Sequence, residues 1–366
     1  MQSGKAMKDQ KPSGPVPGDD VSQRSLVEGL KHAEGRYGGF CFGGQTPDGV
    51  TTTAPLPSGT TFPNGATSAL LLTFDVEGTY SNGTGDMALE VANYERICTR
   101  LKESGIPATF NIVGQMAEEQ GPGFVRWILD AGCEVAAHGY VHDLDRQYDS
   151  TKAYAGHYGS LVNTAQVRDA IAVFDRIQKG CVRGVRMPYA HFNEYTYDAI
   201  AAAGMSWSSN LGIDDWVEPA NGFGGAPCHI RLGDREYDLV EIPLDTQTYD
   251  WPIWVADEQS NGVFVEAVRA YCRSRSIPFL RTPAGGVAVW RQRMLDTIAS
   301  RTVFTLLCHP INLAVLSDSW GDPVEEFLFP VIDLLAGHAH RREAWVCTCS
   351  QIADFYRQTT ARRASR

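Results

Sequence analysis

Apolar and polar positions are distributed along this chain in blocks. Ala69-Leu70-Leu71-Leu72-Thr73-Phe74, Cys133-Glu134-Val135-Ala136-Ala137 and Val303 to Cys308 are short runs with little polar alternation. Such runs predict strands covered on both faces, as in a parallel sheet with helices outside. Between them the period becomes helical. Over Asp86 to Ser104, the residues Ala88, Val91, Tyr94, Cys98 and Leu101 share one face, and Gly105 follows as a stop. Pro122 opens a second predicted helix ending at Gly132, Thr164 to Lys179 forms a third before Gly180, and Val324 to Leu335 a later one. Strands and helices alternating over this length predict an α/β fold, either a doubly wound sheet or a barrel. No internal repeat is visible.

The flanks read differently. Residues 1–22 are rich in Lys, Asp, Gly and Pro and are expected to be disordered or tag-derived. Residues 23–68 include a Gly-, Thr- and Pro-rich stretch from Tyr37 to Ala66, expected to wrap the core as an N-terminal extension. Residues 69–357 are expected to form one catalytic barrel and residues 358–366 a basic tail. A net charge of −11 argues against a nucleic-acid partner. No apolar run reaches the ~18 residues of a membrane span. With nine scattered Cys and no charged-then-apolar leader, the expected compartment is the cytoplasm, unless a leader precedes this sequence. A homo-oligomer is compatible with all of this.

Chemistry concentrates at the ends of the predicted strands. Asp75 and Glu77 lie two apart at the end of the first apolar run, on one face of an extended segment. His138 and His142 follow the second run, four apart, a spacing that lets both rings face one ion from a helical turn. Two nitrogen ligands, one carboxylate ligand and one spare carboxylate suit a catalytic metal with an open position for water. Zinc is expected first, with cobalt or nickel as alternatives. Functional groups of parallel α/β folds gather beyond the carboxyl ends of the strands, which is where these residues fall. Cys347-Thr348-Cys349 is too tight for a usual zinc knuckle and reads as a pair of thiols on one strand face.

Thr73-Phe74-Asp75-Val76-Glu77-Gly78 resembles the first motif of the polysaccharide deacetylases, carbohydrate esterase family four, the NodB homology domain. Ala108 to Gly114 is similar to that family's second strand, and His138 to His142 to its metal motif. Arg186-Met187-Pro188-Tyr189 resembles the Arg-x-Pro-Tyr wall, Asp214-Asp215-Trp216 the Asp-Trp motif, and Leu307-Cys308-His309-Pro310 the final His motif. The set runs in the family's order over roughly residues 69–310. One departure stands out: the family usually carries adjacent carboxylates, whereas here Val76 intervenes and the second carboxylate is Glu77. That spacing is similar to the subgroup of peptidoglycan deacetylases and allantoinase-like cyclic amide hydrolases, some of which work without metal.

The resemblance implies a distorted, seven-stranded (β/α) barrel and hydrolysis of a carbon–nitrogen bond. Under it, Asp75 is the general base, and Glu77, His138 and His142 hold the ion. Arg186 pairs with the base, and Pro188, Tyr189 and Trp216 line the substrate site, the Tyr189 N–H serving as an oxyanion donor. His309 protonates the leaving nitrogen, with Asp214 or Asp215 holding its imidazole. The implied substrate is an N-acetylated amino sugar, as a polymer or a small glycan. The alternatives are a small cyclic or linear amide and, from a different class, an inactive barrel that binds glycans. The segment from Asp245 to Trp254 reads as an insert that could cap the groove and favour a short substrate.

Overall fold

In a computed structural model, residues 38–39, 49–57, 59–78, 87–142, 159–213, 225–246, 248–256, 258–259 and 262–364 are described. The main sheet is built from β1 (Ser68–Val76), β2 (Thr109–Ile112), β3 (Glu134–Ala137), β4 (Gly184–Val185), β5 (Trp207–Ser208), β6 (Val240–Glu241), β7 (Val303–Cys308) and β8 (Ala344–Val346). Seven of these run in the order β6-β5-β4-β3-β2-β1-β7, and β8 joins β1 alongside Ser68, Ala69 and Leu70. Every pairing in this sheet is parallel. A short strand, Leu244–Asp245, pairs parallel with Gly212–Ile213 and lies against β7. It draws the two ends of the sheet towards each other. The result is the distorted (β/α) barrel of NodB type, with a seven-strand path and β8 as an addition.

The strands form where the apolar blocks predict. All nine residues of β1 and all six of β7 are buried. Side chains such as Leu70, Leu72 and Phe74 are fully withdrawn from water, each worth about 1.5–3 kcal/mol. Helix α1 (Met87–Ser104) buries Tyr94, Cys98 and Leu101 as its periodicity requires. Its first turn departs from the pattern: Ala88 is exposed and Glu90 points inward. Tyr94 Oη–H donates to Glu90 Oε1 at 2.7 Å, which makes that burial tolerable, and burial raises this carboxyl to about 7.

Helix α2 (Gly114–Asp130) starts well before Pro122; it breaks at Gly121, so Pro122 opens only its second half. Helix α3 (Ser160–Ile177) follows, then α4 (Glu194–Ala202), α5 (Gly262–Ser274), α6 (Pro283–Ser300), α7 (Pro310–Trp320), α8 (Phe329–His340) and α9 (Cys349–Ala364). The region expected as a basic tail is therefore largely helical, because α9 runs on to Ala364. Of the expected N-terminal extension, Val50–Thr53 pairs antiparallel with His229–Leu232, and Gly38–Gly39 with Asn193 and Phe192. Cys347 and Cys349 are buried free thiols at a strand exit and a helix start, not a pair on one strand face. No helix among the described residues is long and apolar enough to cross a membrane.

Candidate active site

Asp75 is the second-last residue of β1, and Glu77 lies just past its end. Both carboxylates are buried, at 4 and 7% exposure. Asp75 Oδ1 accepts from Arg186 NH1 at 2.8 Å and from Asn111 Nδ2 at 2.9 Å. Arg186, at the exit of β4, is itself fully buried. NH1 also donates to Thr73 Oγ1, NH2 to Ser209 Oγ, and Nε to the Ser209 carbonyl. A guanidinium this thoroughly hydrogen-bonded can sit in the interior beside its carboxylate, whereas a half-satisfied one could not. Burial pushes the Asp75 carboxyl up. The charges of Arg186, His138 and His309 outweigh that and hold it below its usual value.

His138 and His142 do not sit on a helical turn. They lie in an extended loop after β3, in which Gly139 has a φ of 67°. A left-handed residue at that point precludes a continuous helix, so the spacing of four is met by a loop. His138 Nδ1–H donates to the Arg186 carbonyl at 2.9 Å, which in the neutral ring leaves Nε2 as the lone-pair nitrogen. That Nε2 is buried and makes no hydrogen bond to any described residue. Glu77 Oε1 lies 3.5 Å from it, 3.0 Å from His142 Nε2 and 3.6 Å from His309 Nε2. Burial would raise the Glu77 carboxyl, yet His142, His309 and His138 together hold it well below the usual range.

Glu77, His138 and His142 each offer a ligand atom within 4.8 Å of the other two. The donor set of two imidazoles and a carboxylate fits zinc, cobalt or nickel better than magnesium or calcium. The buried, unbonded Nε2 of His138 fits such an ion as well. The residues present therefore suit the metal that the sequence implies.

His309 follows β7, and its Nε2 lies 3.6 Å from the same carboxylate. Its Nδ1–H donates to Asp250 Oδ1 at 2.8 Å, its backbone N–H donates to Asp250 Oδ2 at 2.9 Å, and Asn312 Nδ2 donates to the same Oδ2 at 2.8 Å. Asp214, Asp215 and Trp216 lie outside the described residues. The carboxylate on the His309 ring is Asp250. Sequence reasoning missed it, although Asp250-Trp251 is a second Asp-Trp pair and follows a strand that closes the barrel. Burial lowers the His309 imidazolium, but Asp250 and Glu77 more than compensate and raise it from 6.5 to about 10.

The wall residues are close by. Pro188 is buried, and the Tyr189 ring lies 4.6 Å from that of His142. Tyr189 and Ala190 both adopt positive φ, at 58° and 52°. Two consecutive non-glycine residues in that region mark stored backbone strain beside the site. Tyr249 packs at 5.8 Å from His309 and stacks on Trp251 at 6.3 Å, so part of the predicted insert does border the cluster. Asn111, Ser209, Asn312 and Asp250 complete the arrangement; Asn111 and Asp250 lie in stretches the sequence had singled out, though neither for this role.

Fold and cluster together define a (β/α) barrel whose strand ends bring a candidate base, a metal-ligand set and an oriented imidazolium into one site. Residues 63–207 match the family model described as polysaccharide deacetylase. Among solved structures it is similar to a Mycobacterium smegmatis protein assigned as a polysaccharide deacetylase. That match has 22% identity and a TM-score of 0.60, and covers 85% of this chain and 96% of that one. The PuuE allantoinase matches at 16% identity over 83% and 95% of the two chains, TM-score 0.50. A Pseudomonas aeruginosa PAO1 protein assigned as a polysaccharide deacetylase matches at 13% identity over 86% and 96%, TM-score 0.50. At these identities the neighbours establish the shared fold.

Proposed function

We propose that this protein is a metal-dependent hydrolase of amide bonds that removes the acetyl group from an N-acetylated amino sugar. The observation that carries the reading is the convergence of Asp75 with Arg186, of Glu77 with His138 and His142, and of His309 with Asp250 within one buried cluster. An amide is a poor electrophile with a poor leaving group, so its hydrolysis needs an activated water, a polarised carbonyl and a proton for nitrogen. Glu77, His138 and His142 hold a divalent ion, which when bound lowers the pKa of water and polarises a carbonyl. Asp75, kept ionised and aimed by Arg186 and Asn111, takes the water's proton. The Tyr189 N–H serves as an oxyanion donor. His309, cationic and oriented by Asp250, gives its proton to the departing nitrogen.

A second reading, hydrolysis of a small cyclic or linear amide, is favoured by one observation. Tyr249 lies beside His309 and stacks on Trp251, so that aromatic side chains of the Asp245–Trp254 insert border the cluster. Acetate release from chitooligosaccharides, and hydrolysis of small amides, should be measured on protein stripped with chelator and then given zinc. The proposal expects about one ion per chain and turnover of the acetylated sugar that is lost on stripping and restored by zinc. Turnover of small amides alone would favour the second reading. Full activity in metal-free protein would reject the metal assignment, and binding of glycan with no turnover of either class would make the barrel an inactive binder.

A further inference from the structure

The loop that carries the two imidazoles has no secondary structure of its own, so its peptide groups need partners from elsewhere. They come from two helices. Gln166, buried in the middle of α3, uses its single Oε1 to accept the N–H of Tyr140 at 2.7 Å and of Val141 at 3.0 Å. On the other side of the loop, the first N–H groups of α2 donate to its carbonyls, Gly114 to Gly139 O and Gln115 to Tyr140 O, both at 2.9 Å. The three residues between His138 and His142 are thereby held by hydrogen bonds from both flanks.

The packing is as tight as the hydrogen bonding. A Cβ on Gly114 would stand 2.9 Å from Tyr140 Cδ2, 3.2 Å from Tyr140 Cα and 3.0 Å from Ala170 Cα. That glycine lets α2 close onto the loop and onto α3 together. At Gly139, a Cβ would stand 3.2 Å from both Gln166 Oε1 and Pro188 Cδ, so the loop is closely packed between Gln166 and the wall segment that follows Arg186.

We infer that Gln166 and the first turn of α2 form a clamp that fixes the spacing and aim of His138 and His142, with Gln166 as its positioning residue. This rests on the reading of those two histidines as metal ligands. A loop ligand pair is free to splay unless its backbone is held, and orienting partners of ligands typically matter about 10–100-fold in metal affinity. Gln166 does this through the peptide groups between the ligands and touches neither ring nitrogen in the contacts described.

The test compares Gln166→Leu, Gln166→Glu and Gly114→Ala with wild type. Stripped proteins are titrated with zinc and with cobalt, whose absorption spectrum reports ligand geometry, and amide hydrogen exchange at Tyr140 and Val141 is followed without metal. Gln166→Leu keeps shape but removes the acceptor; it should bind metal about 10–100-fold more weakly, alter the cobalt spectrum and lose protection at both amides. Gln166→Glu restores the acceptor and should return all three readouts close to wild type. Gly114→Ala displaces Tyr140 and should weaken binding even where Gln166→Leu fails to fold. Wild-type affinity in Gln166→Leu or Gly114→Ala, or unchanged amide protection in Gln166→Leu, would overturn the clamp. If wild type itself takes up no metal, the ligand reading fails in that arm alone. The exchange comparison in metal-free protein then still decides for or against the clamp.

Discussion

Asp75→Asn should leave bound metal near one ion per chain while cutting turnover by about 10²–10⁴, the usual loss for a positioned base. The hydrogen bonds explain why the two effects should separate. Arg186 and Asn111 both donate to Oδ1, so an amide oxygen placed there keeps both contacts. Oδ2 is the oxygen that faces the cluster, 4.0 Å from His138 Nε2, and an amide nitrogen in its place cannot accept a proton. Arg186 keeps Asp75 ionised through the neutral range, so the loss should appear as lowered kcat at every working pH. Glu77→Gln should instead lose metal and activity together, since Glu77 is the carboxylate shared by the imidazoles. Metal analysis beside kcat distinguishes the two roles. Exchanged phenotypes would reverse the assignment of base and ligand.

What was legible in the sequence follows from what is local. Parallel strands buried on both faces read as apolar runs, and the first polar residues after such runs, Asp75, His138 and His309, fall at the strand ends where sites form. The 111-residue separation of Arg186 from Asp75 is invisible to pattern alone, and only the ordered motifs brought the two together. Asp250 escaped for the same reason. Two Asp-Trp pairs exist in the chain, and nothing local says which carboxylate the barrel turns towards His309. The helical reading of His138 to His142 failed because a spacing of four also fits an open loop; Gly139, placed directly after the first His, was the available warning. Gln166 draws no reading from the sequence beyond its place in a predicted helix, since its two partners lie in a different segment. For Asp250 and Gln166 the decisive contact is tertiary, made between segments far apart along the chain.

His309→Ala should depress amide turnover by about 10²–10⁴ with little change in metal affinity, because its imidazole acts on nitrogen while Glu77, His138 and His142 bind the ion. An activated ester, whose leaving group needs no proton, should lose far less. The acid form is the working form, so activity should be full while His309 is protonated and fall as pH rises through its pKa. That value is raised from 6.5 to about 10; burial opposes the rise, and Asp250 is the largest contribution in its favour, followed by Glu77. Asp250→Asn removes the largest raising charge while an amide oxygen can still accept from Nδ1–H, with loss of the two hydrogen bonds that Oδ2 accepts from the His309 N–H and Asn312. The alkaline limb of kcat/KM should therefore move down by about 1–3 pH units, the range expected for a neighbouring opposite charge. A metal-saturated Asp250→Asn enzyme measured below its new limb should recover much of its rate, which a merely misfolded site would not do. Equal losses on ester and amide, or an alkaline limb that stays put in Asp250→Asn, would remove His309 from the proton-transfer step and leave the pair a structural role.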